Sequence, residues 1–419
     1  MRFARTGDFS DVISGTATTA LPECYNVFRR YDPQRGWYVI AERVLVAADV
    51  AEGSGGVADH VSALAFALRS CGADVEVFWS GAVSTRLPGA LRPLGFSVAL
   101  GRRARRVRPD VLHAHTSSGG IAHLLAHPST TCVTTSHGDE RDLWAAERTW
   151  ARSGGPKVKP WSLLLVPTLR LSLFASAVRS ADGVVALHDG EGEKYRAERG
   201  ALDAVAVVPN AARPDPPAAI PVPGRVVYVG SWIYRKGNHT LVEAFTALRE
   251  RRPLVELVLV GPGQKALADF PLGARASVRA LGFVDHTEVD AQLSSADVLV
   301  LPSLFEGMPL VVLDALSRGV PVVATDLPGT RAAVGAAGIL VPPRDGAALA
   351  DAIERLIDDR ELRSQLSNRA RAAMRSHTWD DVAASTSSLY EEAAGNRPRR
   401  ALGRFGRLLV RHDHSGART

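Results

Sequence analysis

Residues 295–329 read SADVLVLPSLFEGMPLVVLDALSRGVPVVATDLPG. Two short apolar runs, 297–302 and 320–325, bracket a segment from Leu310 to Arg318 whose apolar residues recur at helical spacing. Strand, helix, strand, with both strands apolar throughout, describes a parallel pair covered on both faces. The same alternation continues outward. RVVYVG (225–230), ELVLVG (256–261) and GILVPP (338–343) read as further strands, with a helix from Ala347 to Leu356. Towards the N-terminus a second series appears: RVLVAA (43–48), DVEVFWS (74–80), DVLHAH (110–115), TCVTTSH (131–137), GVVALH (183–188) and AVAVVP (204–209). ALRPLGF (90–96) reads as a loop. Between the two series lies ARPDPPAAIPVPG (212–224), too rich in proline for a helix or a central strand.

The expected fold class is therefore α/β: two Rossmann-like, doubly wound domains facing across a cleft. The expected boundaries are an irregular extension over 1–42, a first domain over 43–211, a linker over 212–224 and a second domain over 225–375. A C-terminal helix over 376–396 is expected to return to the first domain, and 397–419 forms a basic tail.

The chain has 419 residues, a length that suits two cores. Its formal net charge is +6. The tail holds seven arginines against Asp413 alone, which equals that whole excess, so the body is near neutral and does not read as a nucleic-acid binder. Three separated cysteines, Cys24, Cys71 and Cys132, offer neither a disulfide framework nor a metal motif and fit a reducing cytoplasm. Residues 1–42 lack the basic-then-apolar order of a signal peptide. The apolar run Trp161–Phe174 is about 14 residues, short of the roughly 20 a spanning helix needs.

In such sheets ligands lie beyond the carboxyl ends of the strands. Four loops of the second half fall there. Gly230–Gly237 carries Arg235 and Lys236, a fork of donors and a compact charge suited to a diphosphate, or else a solvated basic turn. Pro302–Leu310 carries Glu306 before a helix N-terminus, with Asp314 in the helix; carboxylates suit sugar hydroxyls, and a helix-terminal acid plus a surface aspartate is the plainer alternative. Asp326–Thr330 and Gly261–Gly263 are weaker turn signals, Gly329 permitting close backbone approach. In the first half Gly55-Gly56 could approach phosphate or acceptor, and His137 ends a strand at the cleft. His113 and His115 are weaker, and His113 can simply point into the core. No Asp-x-Asp pair occurs, so no metal ligand set is evident and none is expected.

Taken together, GSWIYRKG, LVGPG, ALGFV, residues 295–329 and GILVPPRD, with DVLHAH, TTSHG and SADGVVALH before them, resemble the family 4 (group 1) retaining glycosyltransferases of GT-B architecture. The resemblance spans about Arg43 to Ala394. It implies that Arg235 and Lys236, with Gly55, Gly56, Gly329 and Thr330, bind the donor diphosphate. It implies that Glu306, Gly307, Met308, Pro309, Leu310 and His137 meet the donor sugar, and that Asp314, Phe283 and Val284 meet ribose and base. His137, Glu306 and Lys236 become the expected catalytic residues. Asp314 stands where the family carries a second Glu, Ser231 where many members carry Arg, and Ala211 where many carry Gly.

The implied activity is metal-independent transfer of a hexose-type sugar from a UDP- or GDP-linked donor, with no cofactor. The implied acceptor is a saccharide or lipid-linked molecule of cell-surface polysaccharide or glycolipid synthesis. A small soluble acceptor, an epimerase and a non-catalytic sugar-nucleotide binder are the alternatives. The expected location is the cytoplasm. The tail reads either as solvated chain or as an amphipathic segment on an anionic membrane at its inner face.

Overall fold

The structure is a computed structural model that describes residues 30–32, 37–39, 43–83, 89–152, 155, 166–199, 204–213, 221–375 and 377–396. Strands β1 (Arg30–Asp32) and β2 (Trp37–Val39) form a short antiparallel ladder, so the extension read as irregular contains one paired element. The basic tail lies outside the described residues.

The first domain holds β3 (Arg43–Ala48), β4 (Asp74–Trp79), β5 (Val111–His115), β6 (Thr131–Thr135), β7 (Gly183–Ala186) and β8 (Ala204–Val207), all parallel, in the order β4-β3-β5-β6-β7-β8. The second holds β9 (Arg225–Val229), β10 (Glu256–Val260), β11 (Val278–Gly282), β12 (Val298–Leu301), β13 (Val322–Thr325) and β14 (Gly338–Val341). These are also parallel, in the order β11-β10-β9-β12-β13-β14. The order reverses between β3 and β5 in one sheet and between β9 and β12 in the other. Those two switch points are where a doubly wound sheet opens a crevice for ligand.

Both sheets are buried on both faces, as apolar strands require. Along β3, Val44, Val46 and Ala48 pack one way against Leu64 and Leu68 of the Gly56–Ser70 helix, while Leu45 and Ala47 pack the other way against Phe96 and Leu100. Val226 and Tyr228 of β9 sit in one core of the second domain and Val227 in the other. The Trp379–Gly395 helix joins the first domain's core through Val382, Leu389 and Tyr390.

Two elements differ from the sequence reading. The segment 90–96, read as a loop, enters the Arg92–Val107 helix, where Pro93 sits in the first turn and loses no helical hydrogen bond. Gly101 in that helix lets it lie against the Gly119–Leu125 helix, since a Cβ there would stand 2.7 Å from Leu125 Cβ. β11 was not read as a strand because its edge position leaves Arg279 exposed and its sequence, VRALG, lacks a continuous apolar run. Among the described residues no helix is long and apolar enough to cross a membrane.

Candidate active site

The loops after β9 and β12 meet at the second switch point. After β9 the chain makes a short turn over Tyr234–Lys236, and Gly237 adopts φ 72°. A Cβ at Gly237 would fall 1.8 Å from the Pro302 carbonyl oxygen, so only glycine allows the two loops to touch. Leu304 N–H donates to the Arg235 carbonyl at 2.8 Å and locks them together. The result sets Lys236 Nζ 2.6 Å from Glu306 Oε1, with the glutamate side chain 8 % exposed. A cation and a carboxylate thus stand side by side, each satisfied by the other.

The Glu306–Gly307 turn reaches the opposite domain. A Cβ on Gly307 would lie 2.6 Å from the His137 backbone carbonyl, and one on Gly329 would lie 1.7 Å from the Gly307 oxygen. Phe305 covers Gly138 at φ 102°. Asn210, at the end of the first domain, donates from Nδ2 to the Met308 carbonyl at 2.8 Å. Met308, Pro309 and the Leu310–Ser317 helix that follows are therefore held against both the basic loop and the first domain.

His137 belongs to a nest of four imidazoles from three elements: His60 of the Gly56–Ser70 helix, His113 and His115 of β5, and His137 just after β6. His115 Nδ1 and His137 Nε2 share a hydrogen bond of 2.8 Å with the rings stacked. His60 meets His137 edge-on with centroids 4.7 Å apart, and its Nδ1 lies 2.7 Å from Asn210 Oδ1. His113 bonds Tyr390 through Nδ1 and Thr135 through Nε2, a core role. Burial pushes His60 down to about 4 and His113 to about 3, and holds His115 and His137 well below the ordinary histidine range, so all four are neutral. Among the described residues, His60, His115 and His137 are the single group of three or more His, Cys, Asp or Glu side chains close enough to share a cation.

Several residues stand differently from their expected roles. Asp314 is 4 % exposed, and Arg213 takes both its oxygens: the Arg213 backbone N–H donates to Oδ1 at 2.8 Å and its Nε to Oδ2 at 2.9 Å. Arg213 also contacts Asp290 at 3.0 Å, which in turn pairs with Arg318. A ribose at Asp314 would have to compete with that clamp. The Thr330 hydroxyl is fully buried; it accepts from Leu327 N–H and gives its one proton to the Thr325 carbonyl, with the Leu327 carbonyl also in reach, so it is spent inside its own turn. Phe283 is 84 % exposed and Val284 packs partly against the second core. Gly55, at φ 89°, precedes the Gly56–Ser70 helix, and both glycines are exposed beyond β3.

The first domain's switch point carries charge that sequence reading missed. Asp49, directly after β3, is pushed up to about 6, mainly by burial, with Arg170 pulling the other way. Arg170 Nε donates to Glu140 at 2.8 Å. Asp49, Glu140 and Arg170 come from three separate segments, and nothing in their spacing announces a cluster. His60 and Arg213 were missed for the same reason. A separate crevice of about 720 Å³ lies between the domains, lined by Phe66, Arg213, Met374 and Trp379; Lys236, Glu306 and His137 do not line it.

Residues 54–215 match the family described as Glycosyltransferase Family 4, and residues 223–359 match Glycosyl transferases group 1. The chain is 32 % identical over 302 residues to a glycogen synthase of Mycobacterium tuberculosis, covering 68 % of this chain and 69 % of that one. It is 30 % identical over 376 residues to a phosphatidyl-myo-inositol mannosyltransferase of Mycolicibacterium smegmatis, covering 81 % and 91 %. Its fold is similar to that of a sucrose-phosphate synthase from Thermosynechococcus elongatus, with TM-score 0.66 and 23 % identity over 84 % of this chain and 98 % of that one.

Proposed function

Because the chain belongs to the family 4 (group 1) glycosyltransferases of GT-B architecture, using a nucleotide sugar, we propose that it is a retaining hexosyltransferase with a UDP- or GDP-linked donor. The observation that carries the reading is the Lys236–Glu306 pair at the second switch point, with the adjoining Gly307 set against the His137 backbone of the first domain. In this reading Glu306 accepts from donor-sugar hydroxyls. Lys236, released by that exchange, turns to the diphosphate with Arg235 and the backbone N–H groups of Met308 and Leu310.

As the bond from C1 to the diphosphate oxygen breaks, negative charge grows on the leaving group. Preorganised cations and amides lower the barrier there. The acceptor oxygen attacks C1 from the same face, and its proton passes to the departing diphosphate. In this reading neutral His137 contacts the sugar from the first domain. The charge on the diphosphate is met in this reading by side chains and backbone, without Mg²⁺ or Mn²⁺.

The acceptor belongs on the first domain, where Asp49, Glu140 and Arg170 line the other switch point. The relatives named as acting on glycogen and on phosphatidyl-myo-inositol favour a saccharide or lipid-linked acceptor of cell-surface synthesis, handled on the cytoplasmic side. Under that reading the arginine-rich segment 397–419 contacts the anionic inner face of the membrane. Full-length protein and a variant ending at Asn396, sedimented with anionic vesicles at low salt, test this: equal sedimentation removes the tail from the account. A panel of nucleotide sugars with product anomers read by NMR tests the transfer itself.

A further inference from the structure

His60 cannot choose its tautomer. The Met308 carbonyl only accepts, so the Asn210 amide must turn its NH₂ towards Met308 and its oxygen towards His60. His60 Nδ1 therefore carries the proton and donates to Asn210 Oδ1. That leaves a lone pair on His60 Nε2, which is buried and has no partner. His115 is in a similar position: its Nδ1 is spent on His137, and its Nε2 is buried without a partner. These two buried, unpartnered nitrogens sit on rings whose centroids are 5.2 Å apart, and when His115 Nδ1 is the donor to His137 both present lone pairs that suit an electron-poor partner.

We propose that His60, His115 and His137 form a binding site for a borderline-soft divalent cation, Zn²⁺ or Co²⁺ in class, at the floor of the cleft beneath the donor-sugar position. One ring nitrogen from each lies within 4.8 Å of the others. A tetrahedral ion with bonds of about 2.0–2.1 Å needs its ligands about 3.3 Å apart. The site is therefore within about an ångström or two of closure, reached when the His115–His137 hydrogen bond breaks and the rings open slightly, each ring keeping its one proton on Nδ1 and offering Nε2. The Asn210–His60 bond is the outer contact that commonly fixes a ligating imidazole. Trp379 walls His60 on one side, with centroids 5.4 Å apart, while partly exposed His137 leaves the cleft side open for a fourth ligand. Three neutral nitrogens select such ions over Mg²⁺ or Ca²⁺. The site is distinct from the diphosphate position, which Lys236 and Arg235 serve.

The test uses the full chain, freed of metal by chelator and dialysis. Calorimetry with Zn²⁺ and visible absorption with Co²⁺ read stoichiometry and ligand set. We expect one equivalent per chain, tetrahedral d–d bands without sulfur charge-transfer, and no heat with Mg²⁺. His60→Phe, which fills the space without a ligand, and His115→Gln should each lose that equivalent while circular dichroism and nucleotide binding stay as in the wild type. Failure of wild-type protein to bind an equivalent overturns the proposal, whether or not the variants fold. So does binding kept intact in a folded variant, which would place the ion elsewhere.

Discussion

Lys236 and Glu306 lie seventy positions apart and 2.6 Å apart in space, and each is the other's partner. Lys236→Ala removes the cation aimed at the leaving group and should lower transfer by about 10²-fold or more in initial-rate assays. A wild-type rate would remove Lys236 from the site. These two residues were legible in the sequence, because each follows a strand in a loop whose composition suits its ligand. Asp314 was not: its family position was visible, but the arginine that clamps it comes from the linker. Arg213→Ala should cost about 3 kcal/mol in urea denaturation, since it strands a buried carboxylate. Adding Asp314→Asn should recover part of that loss. Asp49 gives a pH signature. Its carboxyl titrates at about 6 when folded against an ordinary 3.8, so the folded chain holds this proton more tightly. Stability from this group is fully present below about pH 4 and is lost as pH rises through about 6. Asp49→Asn should therefore raise the melting temperature at about pH 7.5 and leave it unchanged at about pH 4. A gain of equal size at both would contradict the burial of that charge.

Two glycine contacts set the geometry at the level of the elements. Gly237 joins the loops after β9 and β12, and Gly307 joins the second domain to the first. Gly307→Ala would press a methyl group onto the His137 backbone and force the domains apart. A shift of about an ångström at a reacting centre costs about 10²-fold in rate. The variant should lose transfer while its thermal unfolding stays close to wild type, because each domain core is untouched; full activity would mean the two loops do not approach during turnover. Strands with continuous apolar sequence, such as β9, β10 and β12, were readable because a parallel sheet buries both faces. β11 and the start of the Arg92–Val107 helix were not, because an edge strand tolerates Arg279 and a helix tolerates Pro93 in its first turn, and both break the pattern that marks a strand or a helix in sequence.

At the scale of the whole molecule the order of strands does most to place the site. Each sheet reverses its order once, and the two reversals bring Asp49 and Gly55 on one side and Lys236 and Glu306 on the other to the ends of strands that open on ligand. The two-domain plan could be read from the sequence, while most of the expected linker, 214–220, lies outside the described residues. The histidine nest could not, because His60, His115 and His137 share no motif and converge only through packing of a helix on two strands. The central claim is that this chain transfers a sugar from a nucleotide donor with its anomeric configuration kept. The most direct measurement is ¹H NMR of the protein incubated with UDP- and GDP-sugars and a polyol or saccharide acceptor, in buffer without added Mg²⁺ or Mn²⁺. The account predicts that one donor is consumed, its nucleoside diphosphate released and the α-anomer found in the first product. Consumption of no donor, conversion of one sugar nucleotide into its epimer, or a β-linked product would contradict it.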